Sequence, residues 1–185
     1  MSRLITSVAA VAMFLGSINL AAAGEGLKTG DGIGAFYVTK VCGADSDGVD
    51  QGEQLCYRCR YGSRPMVMVF ARSTDGKVSK LVKELDAAVE ANKDAQLKGF
   101  VTLMGKDASA LKDSAKAVVS DSGAKNIPVT IAKDNVSGPS NYKIDADAEV
   151  TVIVAAGGRV VANHSSSAAE LNVDKVIGAV NKAVN

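Results

Sequence analysis

Residues 55–70 read LCYRCRYGSRPMVMVF, and the interpretation of the whole chain depends on this stretch. Its first half holds a Cys-x-x-Cys motif, Cys56 and Cys59, among three arginines and two tyrosines. Its second half is continuously apolar after Pro65, which is typical of a strand that is buried on both faces. The stretch therefore predicts a cysteine site directly before a central strand.

Strands and helices alternate in the hydrophobic pattern around this stretch. Asp75 or Thr74 can cap a helix, because apolar residues recur after them at helical spacing as far as Val89. β-Branched and aromatic runs elsewhere predict further strands. The resulting pattern is strands at 35–41, 66–70, 99–104 and 127–132, with helices that contain residues 78–89 and 111–119.

The last third of the chain predicts a hairpin and a helix. The strands Val150 to Ala155 and Arg159 to Asn163 are joined at Gly157-Gly158, which is typical of a tight turn. A final helix is predicted to start near Asn172, a good capping residue. Together these elements predict an α/β fold with a mixed central sheet, flanking helices and a C-terminal β-hairpin followed by a helix.

The first residues predict a secretory signal. Arg3 precedes a mostly apolar run that reaches Leu20, and Ala21-Ala22-Ala23 offers a small-residue cleavage site. We expect residues 1–23 to be removed, residues 24–34 to form an N-terminal arm, and residues 35–185 to form one domain. The protein is then periplasmic or secreted, and no membrane partner is expected after cleavage.

The charge and the cysteine content limit the partners and the cysteine chemistry that the sequence predicts. Without Arg3, the 21 basic residues become 20 and balance the 20 acidic ones, so nucleic acid is not an expected partner. Export makes a disulfide plausible for the three cysteines, Cys42, Cys56 and Cys59. Because their number is odd, neither the connectivity nor the oligomeric state is predicted. The acidic segment 43–52 is interpreted as an exposed loop.

Three pieces of the chain, taken in order, resemble the thioredoxin-like superfamily, and within it the redoxin branch of peroxiredoxins and exported thioredoxin-like reductases. The resemblance covers roughly residues 30–184 and implies a thioredoxin-like fold and thiol-disulfide chemistry. The similar pieces are Gly30-Asp31 with the following Phe36-Tyr37-Val38, the strand Met66 to Arg72, and Ile127-Pro128-Val129 with Asp134 and Tyr142-Lys143-Ile144.

The sequence also departs from this family. The family's reactive cysteine follows the central strand at the start of the next helix, where this chain has Arg72 to Gly76 and no cysteine. The family's cis-proline before the hairpin is also missing at Glu149-Val150, unless Pro128 takes that role and residues 129–132 begin the hairpin. If the hairpin is instead formed around Gly157-Gly158, which is the preferred arrangement, Cys56 and Cys59 lie at the opposite end of the sheet from the family's usual active site.

Three interpretations of the cysteine pair stay open. A structural disulfide, with Cys42 as one conceivable partner, would tie the loop to the sheet. In a redox site, Cys56 and Cys59 would react, Cys42 would serve as an auxiliary thiol, and neighbouring side chains would stabilise a thiolate or line a docking surface. These neighbours are Arg58, Arg60, Arg64, Tyr57 and Tyr61.

In the third interpretation, Cys42, Cys56 and Cys59 bind copper or zinc through their thiolates. A fourth ligand is hard to supply, because the only histidine, His164, ends a hairpin strand far from the cysteines. No metal or other cofactor is the preferred expectation.

The sequence thus favours an exported thioredoxin-like protein with a thiol-disulfide redox or redox-sensing role through a displaced Cys-x-x-Cys. Its expected partner is an exported thiol protein, and, if the chain is an enzyme, it is a thiol-disulfide oxidoreductase. The alternatives are a non-catalytic binding module with a structural disulfide, and a thiolate metal protein.

Overall fold

A computed structural model describes residues 26–185, so the expected signal segment 1–23 lies outside the described residues. Seven strands form one sheet in the spatial order β2-β1-β5-β4-β3-β6-β7. β3, β4 and β5 are parallel neighbours, whereas β1, β6 and β7 pair antiparallel to their partners. The strands are β1 (Val38–Cys42), β2 (Gln54–Leu55), β3 (Met66–Ala71), β4 (Lys98–Leu103), β5 (Val129–Ala132), β6 (Val150–Ala156) and β7 (Arg159–Ser166).

Four helices accompany the sheet. The three longer ones begin at side-chain caps, since Asp75, Asp107 and Asn172 accept hydrogen bonds from main-chain N–H groups of the first turn. Within residues 26–185, no helix is long and apolar enough to cross a membrane. The helices are α1 (Tyr57–Tyr61), α2 (Gly76–Ala91), α3 (Ala108–Ser122) and α4 (Val173–Val184), with a 3₁₀ turn at Ser140–Tyr142.

The sheet separates two hydrophobic cores. Alternate residues of β3 point to opposite faces, so Val67 and Val69 join one core while Met68 and Phe70 join the other. α2, α3 and α4 cover the first face. α1 and the segment from Leu27 to Phe36 cover the second face. This second core is rich in aromatic residues, and α1 lies against it.

The structure confirms the mixed sheet, the flanking helices and the terminal hairpin. The turn Gly157-Gly158 joins β6 to β7 as expected, so the other register, with residues 129–132 in the hairpin, is wrong. β3 lies inside the sheet between β4 and β6, while β4 holds the middle position.

The described part of the arm, residues 26–34, runs along the outer edge of β7. The Gly30 N–H donates to the Val160 carbonyl at 2.8 Å, and the Val160 N–H donates to the Asp31 carbonyl at 2.9 Å. The side chain of Asn163 also donates to the Leu27 carbonyl. The arm therefore covers a strand edge that would otherwise expose unpaired main-chain groups.

The acidic segment 43–52 is largely exposed, as expected, but an ion pair between Asp47 and the buried Lys40, which the sequence did not predict, organises it. Lys40 on β1 is only 2% exposed, and its Nζ lies 2.8 Å from Oδ1 of Asp47. The same ammonium donates to the carbonyls of Ala44 and Val49. The second carboxylate oxygen of Asp47 accepts from the Tyr57 hydroxyl at 2.6 Å, which ties the loop to α1. The sequence alone shows only an acidic stretch, because Lys40, the partner of Asp47, lies earlier in the chain on β1.

Replacing Lys40 with methionine is expected to lower the free energy of unfolding by about 3 kcal/mol, because the buried Asp47 carboxylate loses its counter-charge. The matched variant Tyr57→Phe removes one hydrogen bond to the same carboxylate and should cost about 1.5 kcal/mol. Urea unfolding measures both. An unchanged unfolding midpoint for Lys40→Met would show that the ion pair does not hold the loop.

Candidate functional site

Cys56 and Cys59 form a disulfide across the first turn of α1, with their Cα atoms 5.2 Å apart. Cys56 is the N-cap residue of this helix, and its Sγ accepts a hydrogen bond from the Cys59 N–H at 3.0 Å. The sequence had not predicted α1. The two sulfurs differ in environment, because Cys56 is buried, with 8% exposure, whereas Cys59 is exposed.

Two tyrosines hold α1 against the sheet. Tyr57 is 1% exposed and stacks on Phe100 with ring centroids 5.6 Å apart, and Tyr61 meets the same ring edge-on. Burial, and then the hydrogen bond to Asp47, raise the pKa of Tyr57 well above its ordinary value. Tyr57 is therefore an anchor in the core, not the docking-surface residue that the sequence suggested. The spacing of four residues between the tyrosines was the available signal for a short helix.

The three arginines spread around α1. Arg58 Nε donates to the Ile33 carbonyl at 2.9 Å, and Arg60 Nη2 donates to the Asp47 carbonyl at 2.8 Å. Arg64 Nε donates to the side chain of Gln96 at 2.9 Å. Arg58 and Arg60 thus join α1 to two other segments, and Arg64, just after α1, also donates to the carbonyls of Arg60 and Tyr61, so the arginines help to hold the helix in place. Thiolate stabilisation by Arg58, Arg60 and Arg64 stays a prediction.

Cys42 is a free, buried thiol that the structure does not bring to the disulfide. A bulge between Lys40 and Cys42 shifts the register of β1 against β5, and Cys42 packs in the core on the α3 side of the sheet. α1 packs through Tyr57 on the opposite side. Burial raises the pKa of the Cys42 thiol, which disfavours a thiolate. These positions do not support the expected exchange between Cys42 and the pair.

The three cysteines also do not form a common metal site. Within residues 26–185, no group of three or more histidine, cysteine, aspartate or glutamate side chains is placed to hold a metal ion. Copper or zinc binding through Cys42, Cys56 and Cys59, the alternative from the sequence, stays a prediction.

The position that holds the reactive cysteine in redoxins contains no cysteine here. It is the segment Arg72 to Gly76, between the end of β3 and the start of α2, where Asp75 caps the helix. The disulfide precedes Met66, at the other end of β3. The six-residue strand separates the two positions by about 17 Å.

Solved structures of similar fold include thiol-disulfide oxidoreductases and peroxiredoxins. The thioredoxin domain of a thiol-disulfide oxidoreductase from Bacteroides vulgatus is 16% identical, with a TM-score of 0.62 over 86% of this chain and 99% of that one. A secreted disulfide oxidoreductase of Mycobacterium tuberculosis is 13% identical, with a TM-score of 0.57 over 80% of this chain and 95% of that one. A 2-Cys peroxiredoxin of Plasmodium vivax is 15% identical, with a TM-score of 0.57 over 83% and 80%.

No family model matches the chain. No curated protein sequence matches it either. The structural similarities show the fold: the chain has a thioredoxin-like fold, as its sequence resemblance implied. Within that fold it carries a Cys-x-x-Cys disulfide at a displaced position.

The one histidine, His164, lies on β7 opposite Val152. The β6–β7 turn contacts the segment after α1, because the Gly157 N–H donates to the Ser63 carbonyl. His164 lies about 17 Å along β7 from this turn. Its Nε2 is buried and has no hydrogen-bond partner within residues 26–185. Burial, and then the charge of Lys175, lower the pKa of His164. His164 faces the core and is not placed to bind a metal ion together with the cysteines.

We expect stability to depend on pH through His164. Because its folded-state pKa lies below the unfolded value of about 6.5, the unfolded chain binds the proton first as pH falls. The free energy of unfolding should therefore be highest above pH about 6.5 and decline below it. In His164→Gln this part of the decline should disappear. Urea unfolding of both proteins between pH 5 and 8 measures it; parallel curves would contradict the assignment.

Proposed function

We propose that this protein is an exported thiol-disulfide exchange protein that works through the Cys56–Cys59 disulfide. The observation that carries the proposal is the unequal environment of the two sulfurs, with Cys59 exposed and Cys56 buried. An incoming thiolate reaches Cys59, so exchange starts at a defined sulfur. The thioredoxin-like fold and its thiol-disulfide neighbours support the same chemistry.

A purely structural role accounts less well for this disulfide. It closes a loop of only three residues within one helical turn, and it links no two elements of the fold. A cross-link of this length is expected to contribute about 2 kcal/mol at most by restricting the unfolded chain. α1 is already held by the buried rings of Tyr57 and Tyr61 and by the hydrogen bond of Tyr57 to Asp47.

Exchange follows from the positions of the sulfurs. A substrate thiolate attacks Sγ of Cys59, the S–S bond breaks, and the electron pair leaves on Sγ of Cys56. The Cys59 N–H, which already donates to Cys56 Sγ at 3.0 Å, stabilises the leaving thiolate. A second substrate thiolate then attacks the substrate sulfur of the mixed disulfide and releases Cys59. The substrate dithiol is oxidised to a disulfide, and the protein pair is reduced.

The two single-cysteine variants test the assignment of these roles. In Cys56→Ser, the exposed Cys59 should react with an aromatic disulfide reagent at least about tenfold faster than the buried Cys56 does in Cys59→Ser, because access controls the rate. The absorbance of the released aromatic thiol measures both rates. Both variants also contain Cys42, so the rates are measured again with Cys42→Ala added to each variant, which removes the contribution of this thiol. Faster reaction in Cys59→Ser would contradict the assigned roles.

A non-catalytic binding module with a structural disulfide is the second candidate. It is favoured by the absence of a cysteine at residues 72–76, where redoxins have their reactive one. On this account the disulfide should not exchange with thiols faster than a disulfide in a short unstructured peptide. The rate at which a small thiol reduces the wild-type disulfide, measured beside the rate for the same disulfide in a short unstructured peptide, therefore separates the two candidates.

Export belongs to the same proposal and rests on the leader-like residues 1–23. A disulfide is stable outside the cytosol, which agrees with a Cys56–Cys59 bond. The mature protein is expected to begin at Gly24. Intact mass measured on protein recovered from the exported fraction of the host should lack residues 1–23. A mass that retains them would contradict cleavage at this site.

A further inference from the structure

A cleft of about 630 Å³ opens beside α1, on the side to which Arg60 and Arg64 point. Lys98 on β4 and Lys93 after α2 complete a basic rim. The apolar floor consists of Val89 and Leu97 with the ring of Tyr61, and Ser46, Gln96 and Asn126 add neutral polar groups to the lining. Arg60 directly follows the exposed Cys59, so the cleft begins beside the reactive end of the disulfide.

The cations of this rim are largely uncompensated. Arg60 and Arg64 donate to carbonyl and amide oxygens, which are neutral acceptors. The Lys98 side chain forms no hydrogen bond or ion pair within residues 26–185, whereas Lys93 pairs with Glu90. Asp47 also lines the cleft, but its carboxylate is already paired with the buried Lys40 and accepts from Tyr57. The cleft is therefore lined by four cationic side chains and one carboxylate, with Asp86 and Glu90 behind Asn126, in a chain that is nearly neutral overall.

We infer that this cleft binds the acidic flank of a peptide disulfide and presents it to Cys59, so the substrates are acidic peptide disulfides. The inference rests on the proposed exchange function and names its substrate class. An apolar floor suits a peptide backbone and its aliphatic groups, and a cationic rim suits carboxylates. Arginine adds specificity because its planar guanidinium binds carboxylates through two hydrogen bonds.

The charge of the cleft should act on the rate of encounter as well as on affinity. Oppositely charged partners associate faster at low salt, and this advantage disappears as ions screen the field.

The reduced protein attacks the peptide disulfide through the Cys59 thiolate and releases one peptide thiolate. The Cys56 thiolate then attacks Sγ of Cys59, closes the protein disulfide and releases the second peptide thiolate.

The experiment compares synthetic peptide disulfides that differ only in flanking glutamates, glutamines or lysines. At low salt the reduced protein should react with the glutamate peptide roughly tenfold faster than with the lysine peptide, and the ratio should approach one in about 1 M salt. Lys98→Glu should reverse or abolish the preference, and no hydrogen bond of the Lys98 side chain is lost in this variant. The double variant Lys80→Gln, Lys112→Gln changes the net charge by the same amount on exposed helix surfaces and should keep the preference.

A second readout separates the cleft from the chemistry. Fluorescence anisotropy measures binding of a labelled glutamate peptide whose cysteine is replaced by serine, so that no exchange can occur. One outcome is that the wild type binds this peptide, that Lys98→Glu weakens the binding at least about fivefold, and that no peptide is exchanged. This outcome would support the cleft and contradict the exchange function. Equal exchange rates for all peptides, with no anisotropy change, would keep the exchange function and overturn the acidic substrate class.

Discussion

The ion pair between Lys40 and Asp47 sets the geometry on which the disulfide depends. Lys40 is buried on β1, and its ammonium collects the Asp47 carboxylate and two carbonyls of the following loop. Asp47 in turn accepts from Tyr57, the first residue of α1. A buried charge without its partner is costly, so the loop and the helix are fixed together. The position of Cys56, directly before Tyr57, follows from this chain of contacts.

The thioredoxin-like fold is kept here without a cysteine in the segment that follows β3. The segment between β3 and α2 has the usual helix cap but no cysteine, and the cysteine pair lies before β3. A short helix held by tyrosines gives the pair one exposed residue, Cys59, and one buried residue, Cys56, whose Sγ accepts a main-chain N–H. The same helix contributes Arg60, which directly follows the exposed Cys59, to a basic cleft.

Much of the fold follows from local patterns in the sequence. The apolar run of β3, the capped helix after Asp75 and the Gly157-Gly158 hairpin each need only neighbouring residues to form, and each is present. The site depends on long-range contacts that no local pattern reveals. Lys40 and Asp47 meet only because the loop folds back, and the bulge in β1 turns Cys42 into the other core. The accessible sulfur could not be chosen from the spacing alone.

The reduction potential of the Cys56–Cys59 disulfide tests the central claim most directly. The folded protein is equilibrated in glutathione buffers of graded potential, and the oxidised fraction is counted by alkylation and mass. An exchange protein with an accessible Cys59 and a stabilised Cys56 thiolate should titrate above about −300 mV, within the range of thiol-disulfide exchange proteins. A midpoint below about −300 mV, which is typical of structural disulfides, would contradict the account.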